Sequence, residues 1–167
     1  MNVKYDMIIG IDPDSVKSGV ACVDIHTRRV ECLTLMFADL LEYLAYVKSN
    51  QTQQGYRYLV VVEAGWLNEN NWHLRRGDNL HLAAAKGKAL GRCEQTGRLI
   101  LEMAEHIGLD CIARKPLRKC WRGKDRKITH DEIKQITGVM GRTNQEMRDA
   151  LLLAWVQAEL PIKVKYP

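Results

Sequence analysis

The chain has 167 residues, 46% of them apolar and 27% charged, and a formal net charge of +5. That length supplies enough core for one domain, expected over residues 1–167, without disulfide or metal staples. Five scattered cysteines, Cys22, Cys32, Cys93, Cys111 and Cys120, include no CxxC pair, which speaks against a zinc ribbon or disulfide framework and for free thiols in a cytoplasmic setting. Only Met7–Ile11 form an apolar run before the first acid, so neither a signal peptide nor a membrane span is expected there.

Three extended segments come first: "VKYDMIIGID", "SGVACVDI" and "RRVECLTL". Their β-branched content and the short turns between them predict strands in hairpin succession. The stretch from Phe37 to Asn50 then spaces Leu40, Leu41, Leu44 and Val47 on one helical face. "YRYLVVVEAG" predicts a buried strand that closes with an acid, Glu63, as the first closes with Asp12.

From Leu80 to Ile107, Ala89, Cys93, Ile100, Ala104 and Ile107 fall in helical phase. Gly87, Gly91 and Gly97 weaken such a helix, so they are expected to permit close packing against another one. "LDCIARKP" predicts a short strand stopped by Pro116, and "THDEIKQITG" a short helix ended by Gly138. "TNQEMRDALLLAWVQAEL" predicts a last helix stopped by Pro161. The order βββαβαβα predicts an α/β protein with a five-stranded mixed sheet, its first three strands antiparallel, flanked by helices.

Charge is concentrated. "RKPLRKCWRGKDRK", from Arg114 to Lys127, sets eight basic residues against the single acid Asp125, more than the whole net charge of the chain. Such a segment suits a polyanion such as nucleic acid; a loop kept basic for solubility is the plainer alternative.

The acids are placed just as unevenly. Ligand sites in α/β sheets favour the carboxyl ends of strands, where Asp12 and Glu63 both sit. Two carboxylates meeting at one rim repel unless a cation lies between them. Mg²⁺ is held by such carboxylates together with substrate phosphate oxygens. On the last helix, Glu146 and Asp149 are spaced i,i+3 and share a face. Asp149 is in phase with Leu152, Leu153 and Val156, the stripe that must face the sheet, where a carboxylate is costly unless paired or metal-bound. Glu146 has two readings, as a ligand or as the partner of Thr143 in a capping box.

With these residues in place, the chain resembles the RuvC-type Holliday junction resolvases of the ribonuclease H-like superfamily. That family opens with a Gly-Ile-Asp-Pro-Gly-Ser turn closed by Thr-Gly; here Gly10, Ile11, Asp12, Pro13, Asp14 and Ser15 are followed by Ser18 and Gly19. Its second acid ends the fourth strand, matching Glu63. Its last two acids lie three apart before an Ala-Leu stretch, matching Glu146 and Asp149. A lysine that opens the helix after the fifth strand matches Lys127, and an aromatic ring used at the junction crossover matches Trp66. Trp66 is expected in a polar loop, stacking on bases.

The resemblance implies an endonuclease acting in DNA recombination and repair that cuts branched DNA, chiefly four-way junctions. It also implies two-metal hydrolysis using Mg²⁺, with Mn²⁺ able to substitute. Asp12, Glu63, Glu146 and Asp149 would hold the ions and Lys127 would sit by the scissile phosphate. Trp66, Arg75, Arg76, Lys86 and Lys88 would meet DNA, as would Arg114, Lys115, Arg118, Lys119, Arg122, Lys124 and Arg126. A homodimer packed partly through the long helix is implied as well.

Two positions depart from the family pattern. Asp14 replaces the turn glycine, where Asp tolerates a positive φ but adds an acid near the metal site. Glu146 stands where Asp is commoner. The rival readings are a junction-binding protein without catalysis, disabled by Asp14, and a ribonuclease H acting on RNA–DNA hybrids. Actin-like and sugar-kinase ATPases share the opening turn but need two such domains.

Overall fold

The computed structural model of the chain describes residues 4–68 and 76–166. β1 (Met7–Asp12), β2 (Ser18–Asp24), β3 (Val30–Leu35), β4 (Tyr58–Glu63) and β5 (Asp110–Arg114) form a sheet in the order β3-β2-β1-β4-β5. The β1–β2 and β2–β3 pairs are antiparallel, while β1–β4 and β4–β5 are parallel. Antiparallel neighbours need only tight turns, whereas parallel ones need a crossover. Those crossovers are α1 (Phe37–Gln54), before β4, and α2 (Leu80–Ile107), before β5. α3 (His130–Thr137) and α4 (Gln145–Gln157) follow, so with the short helix counted separately the order is βββαβαβαα.

Strand side chains alternate between the two faces of the sheet, and this alternation sorts the core into two layers. Ile9, Ile11, Val60 and Val62 pack with Leu40 and Leu44 of α1 and Ile100 and Ala104 of α2. Ile8, Leu59 and Val61 pack with Ile133 of α3 and with Ala150, Leu151 and Leu153 of α4. β1 and β4 are covered on both faces, which is why they read as nearly unbroken apolar runs. Counting on by twos, Asp12 and Glu63 belong to the α4 face.

α4 lies against the sheet with no room to spare. A Cβ added to Gly10 would stand 2.2 Å from the Ala150 carbonyl oxygen, and one on Gly19 only 2.1 Å from that of Glu146. These two glycines therefore set the distance between the sheet and the helix that carries the last two acids.

α2 has the predicted bounds. The Asn79 side chain caps it by accepting the Leu82 N–H at 2.8 Å, and Gly108 closes it in a left-handed conformation. Its burial is confined to the second half, at Gly97, Ile100 and Ala104, while Ala89 is exposed. Gly87 and Gly91 face open space rather than another helix; Gly97 meets the ring of Trp66. Among the described residues no helix is long and apolar enough to cross a membrane.

Candidate active site

Ile11 pairs with Val62 across the parallel β1–β4 ladder. Asp12 and Glu63 are therefore adjacent at the carboxyl ends of the two central strands. α4 starts over the same rim and brings Glu146 and Asp149 within its first two turns. Burial, and then the charges of Glu63, Asp149 and Glu146, hold the Asp12 carboxyl well above the usual range, with Lys127 opposing. Glu63 is pushed up to about 7 by burial and then by Asp149, against the pull of Lys127 and Lys119. Asp12 thus feels the other three acids, and Glu63 feels Asp149, across three separate elements.

Lys127 is the cation in their midst. Its Nζ donates to Asp149 Oδ2 at 3.0 Å. Partial burial works against its charge, but the bond to Asp149 and the charges of Asp149, Asp12 and Glu63 outweigh it and raise its pKa. Among the described residues no group of three or more Asp, Glu, His or Cys side chains is placed so that it could hold a metal ion as it stands. The donor set itself is all carboxylate oxygen, partly buried and mutually repelling, which is the chemistry that suits a hard divalent cation.

Lys127 is delivered by a closed loop, not by the start of a helix. Trp121 N–H donates to Arg126 O at 3.1 Å and Gly123 N–H to Lys127 O at 2.9 Å. Asp125 and Arg126 take left-handed φ angles of 53° and 60° to make that closure. A Cβ on Gly123 would lie 2.4 Å from Lys127 O, so only glycine fits the crossing. α3 begins three residues later, in a capping box of Thr129 and Glu132.

The N-cap of α4 is Asn144, one residue beyond Thr143; its side chain accepts the Met147 N–H at 2.9 Å. Asn outranks Thr as an N-cap, and Thr143 instead meets His130 Nδ1 at 2.8 Å. Of the two readings of Glu146, the capping box with Thr143 is therefore not the one formed.

Asp14 does not need a left-handed backbone, since it is not among the residues with positive φ. Its Oδ1 accepts the Val16 N–H at 2.8 Å, closing the turn on itself, and Oδ2 faces Cys93 Sγ at 3.9 Å. Cys93 belongs to α2, in the layer opposite α4. The carboxylate is committed to the turn and to that far side, away from the four acids.

Trp66 stands in a 3₁₀ turn, Gly65–Leu67, directly after β4 rather than in an open loop. Its half-buried ring packs on Gly97 and carries the Arg98 guanidinium 4.8 Å from its centroid. Arg114, at the end of β5, is also engaged, donating to Gln157 Oε1 at 2.6 Å. Lys86 is paired with Asp78 at 2.6 Å. Lys115, Arg118, Lys119, Arg122, Lys124 and Arg126 are exposed, Arg122 with its guanidinium over Tyr166. Arg76 and Lys88 are exposed on and before α2, and Arg75 lies outside the described residues.

No protein-family model matches the sequence, and no curated protein does. Among solved structures, T. thermophilus RuvC in complex with a Holliday junction substrate aligns over 92% of this chain and 93% of its own, at 18% identity and a TM-score of 0.53. The large terminase nuclease from thermophilic phage G20c aligns over 92% of this chain and 83% of its own, at 16% identity and a TM-score of only 0.32. The RuvC likeness defines the architecture: the chain has a RuvC-like, ribonuclease H-like fold.

Proposed function

We propose that this chain is a structure-selective endonuclease that cuts branched DNA, chiefly four-way junctions, in recombination and repair. The observation that carries the reading is that Asp12, Glu63 and Asp149 lie near Lys127 at one sheet rim, with Glu146 near enough to act on Asp12. The four acids would hold Mg²⁺, with Mn²⁺ able to substitute, as two ions per site. Such ions supply an activated water and neutralise charge on phosphate oxygens. Asp12, which feels all three other acids, is the shared ligand in this reading.

Lys127 has a further part, placing an ammonium at the scissile phosphate. The exposed basic residues from Lys115 to Arg126 lie on the segment that delivers it, so backbone grip and the catalytic lysine come from one stretch of chain. Contacts of that kind position DNA without reading its sequence. Gly123→Ala tests the arrangement. With its Cβ on Lys127 O the loop must open, and cleavage should fall by about 100-fold for a displacement of about 1 Å. Circular dichroism should show the fold retained; undiminished cleavage would contradict the placement of Lys127.

A four-way junction has two-fold symmetry, and a homodimer with C₂ symmetry offers two matching sites. The first half of α2, with Leu80 84% and Leu82 44% exposed and its glycines open, is the surface proposed for that contact. Light scattering at micromolar concentration should give a dimer; a monomer would count against it.

Cleavage of a labelled four-way junction, an RNA–DNA hybrid and a linear duplex, run side by side in Mg²⁺, tests the function. Paired symmetric nicks in the junction alone are expected. Preferential cutting of the hybrid would favour a ribonuclease H activity. Junction binding in Ca²⁺ without cutting in Mg²⁺ or Mn²⁺ would favour a protein that binds without catalysis.

A further inference from the structure

Asp149 has a second polar partner that the carboxylate-and-lysine scheme leaves unused. Its Oδ1 accepts from Gln145 Nε2 at 2.7 Å, while Oδ2 holds Lys127. The Gln145 Oε1 in turn accepts from Arg148 Nη2 at 2.9 Å. A guanidinium can only donate and a carboxylate can only accept, so a single orientation of the Gln145 amide satisfies both neighbours. Arg148 also donates through Nε to Ile128 O at 3.1 Å and through Nη1 to Thr143 O at 2.7 Å. Ile128 is the residue bonded to Lys127. The links therefore close a circuit running Lys127, Asp149, Gln145, Arg148, Ile128 and back to Lys127.

The two bonds on Asp149 differ in how easily they can be exchanged. Gln145 is pinned from behind by Arg148, and Arg148 by two backbone carbonyls. Lys127 reaches Oδ2 on a flexible four-carbon stem. We infer that Gln145 and Arg148 are positioning residues that lock Asp149 through Oδ1 and leave Oδ2 free to exchange the Lys127 ammonium for a divalent cation. The inference rests on the metal-centre reading above. It assigns two residues of α4 a part in cation affinity that neither charge nor metal-ligand chemistry gives them. It also explains why Lys127, displaced from Asp149, becomes available to the DNA phosphate.

The test is a calorimetric titration of the full chain with Mn²⁺ in the absence of DNA. Gln145→Met and Arg148→Ala should each weaken Mn²⁺ binding by roughly 10-fold, the usual cost of removing a partner that orients a ligand. Because both are links of one circuit, the double variant should lose no more than about twofold beyond the worse single one. Binding within about twofold of the native chain in both single variants would overturn the inference, and so would full additivity in the double one. Asp149→Asn separates the two levels. If that variant loses Mn²⁺ while Gln145→Met and Arg148→Ala do not, the positioning claim fails and the metal centre stands. If Asp149→Asn binds as the native chain does, both fail. Gln145→Met keeps the side-chain volume and every Arg148 bond to the backbone, so it decides alone should Arg148→Ala lose its helix content.

Discussion

Gly19→Ala is expected to destabilise the protein by about 3 kcal/mol, the upper part of the range for overpacking a filled site, and to abolish activity with it. The new methyl would meet the carbonyl oxygen of Glu146 at 2.1 Å and its carbonyl carbon at 2.3 Å. Both belong to helix backbone and cannot swing aside as a flexible side chain would. The first turn of α4 must lift from the sheet, and Glu146 and Asp149 lift with it, away from Asp12 and Glu63. Gly10→Ala makes the same intrusion deeper, 2.2 Å from Ala150 O and 2.9 Å from Ala154 N, so its loss falls mainly on stability. Urea unfolding read beside junction cleavage checks both. A Gly19→Ala protein within about 0.5 kcal/mol of the native one would contradict the packing account.

The second large effect is on stability as a function of pH and metal. Asp12 and Glu63 both have folded pKa values above their unfolded ones, Glu63 moving from 4.5 to about 7. Across that window the native state keeps protons that the unfolded state has released, so metal-free stability must fall as pH rises from about 4.5 to about 7. The two sites titrate as a coupled pair, so the slope belongs to the pair and not to either residue alone. Asp6 has the opposite sign. Its bonds to Arg57 and His26 lower it to about 2, so its contribution is lost only as pH falls below about 4 and does not mask the slope. Asp12→Asn should raise the unfolding temperature of the metal-free protein at pH 8 and flatten the pH dependence, while eliminating cleavage. Mg²⁺ should stabilise the native chain at pH 8 and do little for the variant. Thermal unfolding in EDTA and in Mg²⁺ reads all of this; a native stability that climbs between pH 5 and 7 in EDTA would contradict it.

The elements and the strand-end acids were legible in the sequence because each is announced locally. The β-branched apolar run from Met7 to Ile11 marks β1, and the acid that ends the run marks Asp12. The helical phase of Leu40, Leu44 and Val47 marks α1 in the same way, and all three are buried. What escaped depends on contacts between distant parts of the chain. Thr143 and Asn144 are both acceptable caps by type; the choice is made where Asn144 also donates to Thr34 Oγ1 at 2.9 Å, across 110 positions.

The glycines of α2 could not be sorted by spacing. Gly97 is required by Trp66 packing from another segment, whereas Gly87 and Gly91 have nothing near them. Trp66 looked like a loop residue because its neighbours are polar, yet its ring is held by Gly97 and Arg98. Arg114 looked like part of a uniform basic run, but the end of β5 brings it against Gln157. Gln145 and Arg148 gave no signal at all, since their importance lies in which oxygen of Asp149 and which carbonyl they reach.

The central claim is that Asp12, Glu63, Glu146 and Asp149 act together on one phosphodiester bond through a divalent cation. It is tested most directly by timing the cleavage of a synthetic four-way junction by the native chain and by Asp12→Asn, in Mn²⁺ and in EDTA. The account predicts paired nicks from the native chain in Mn²⁺ only, and none from the variant in either condition. Equal cutting by the two proteins, or native cutting that survives EDTA, would contradict it.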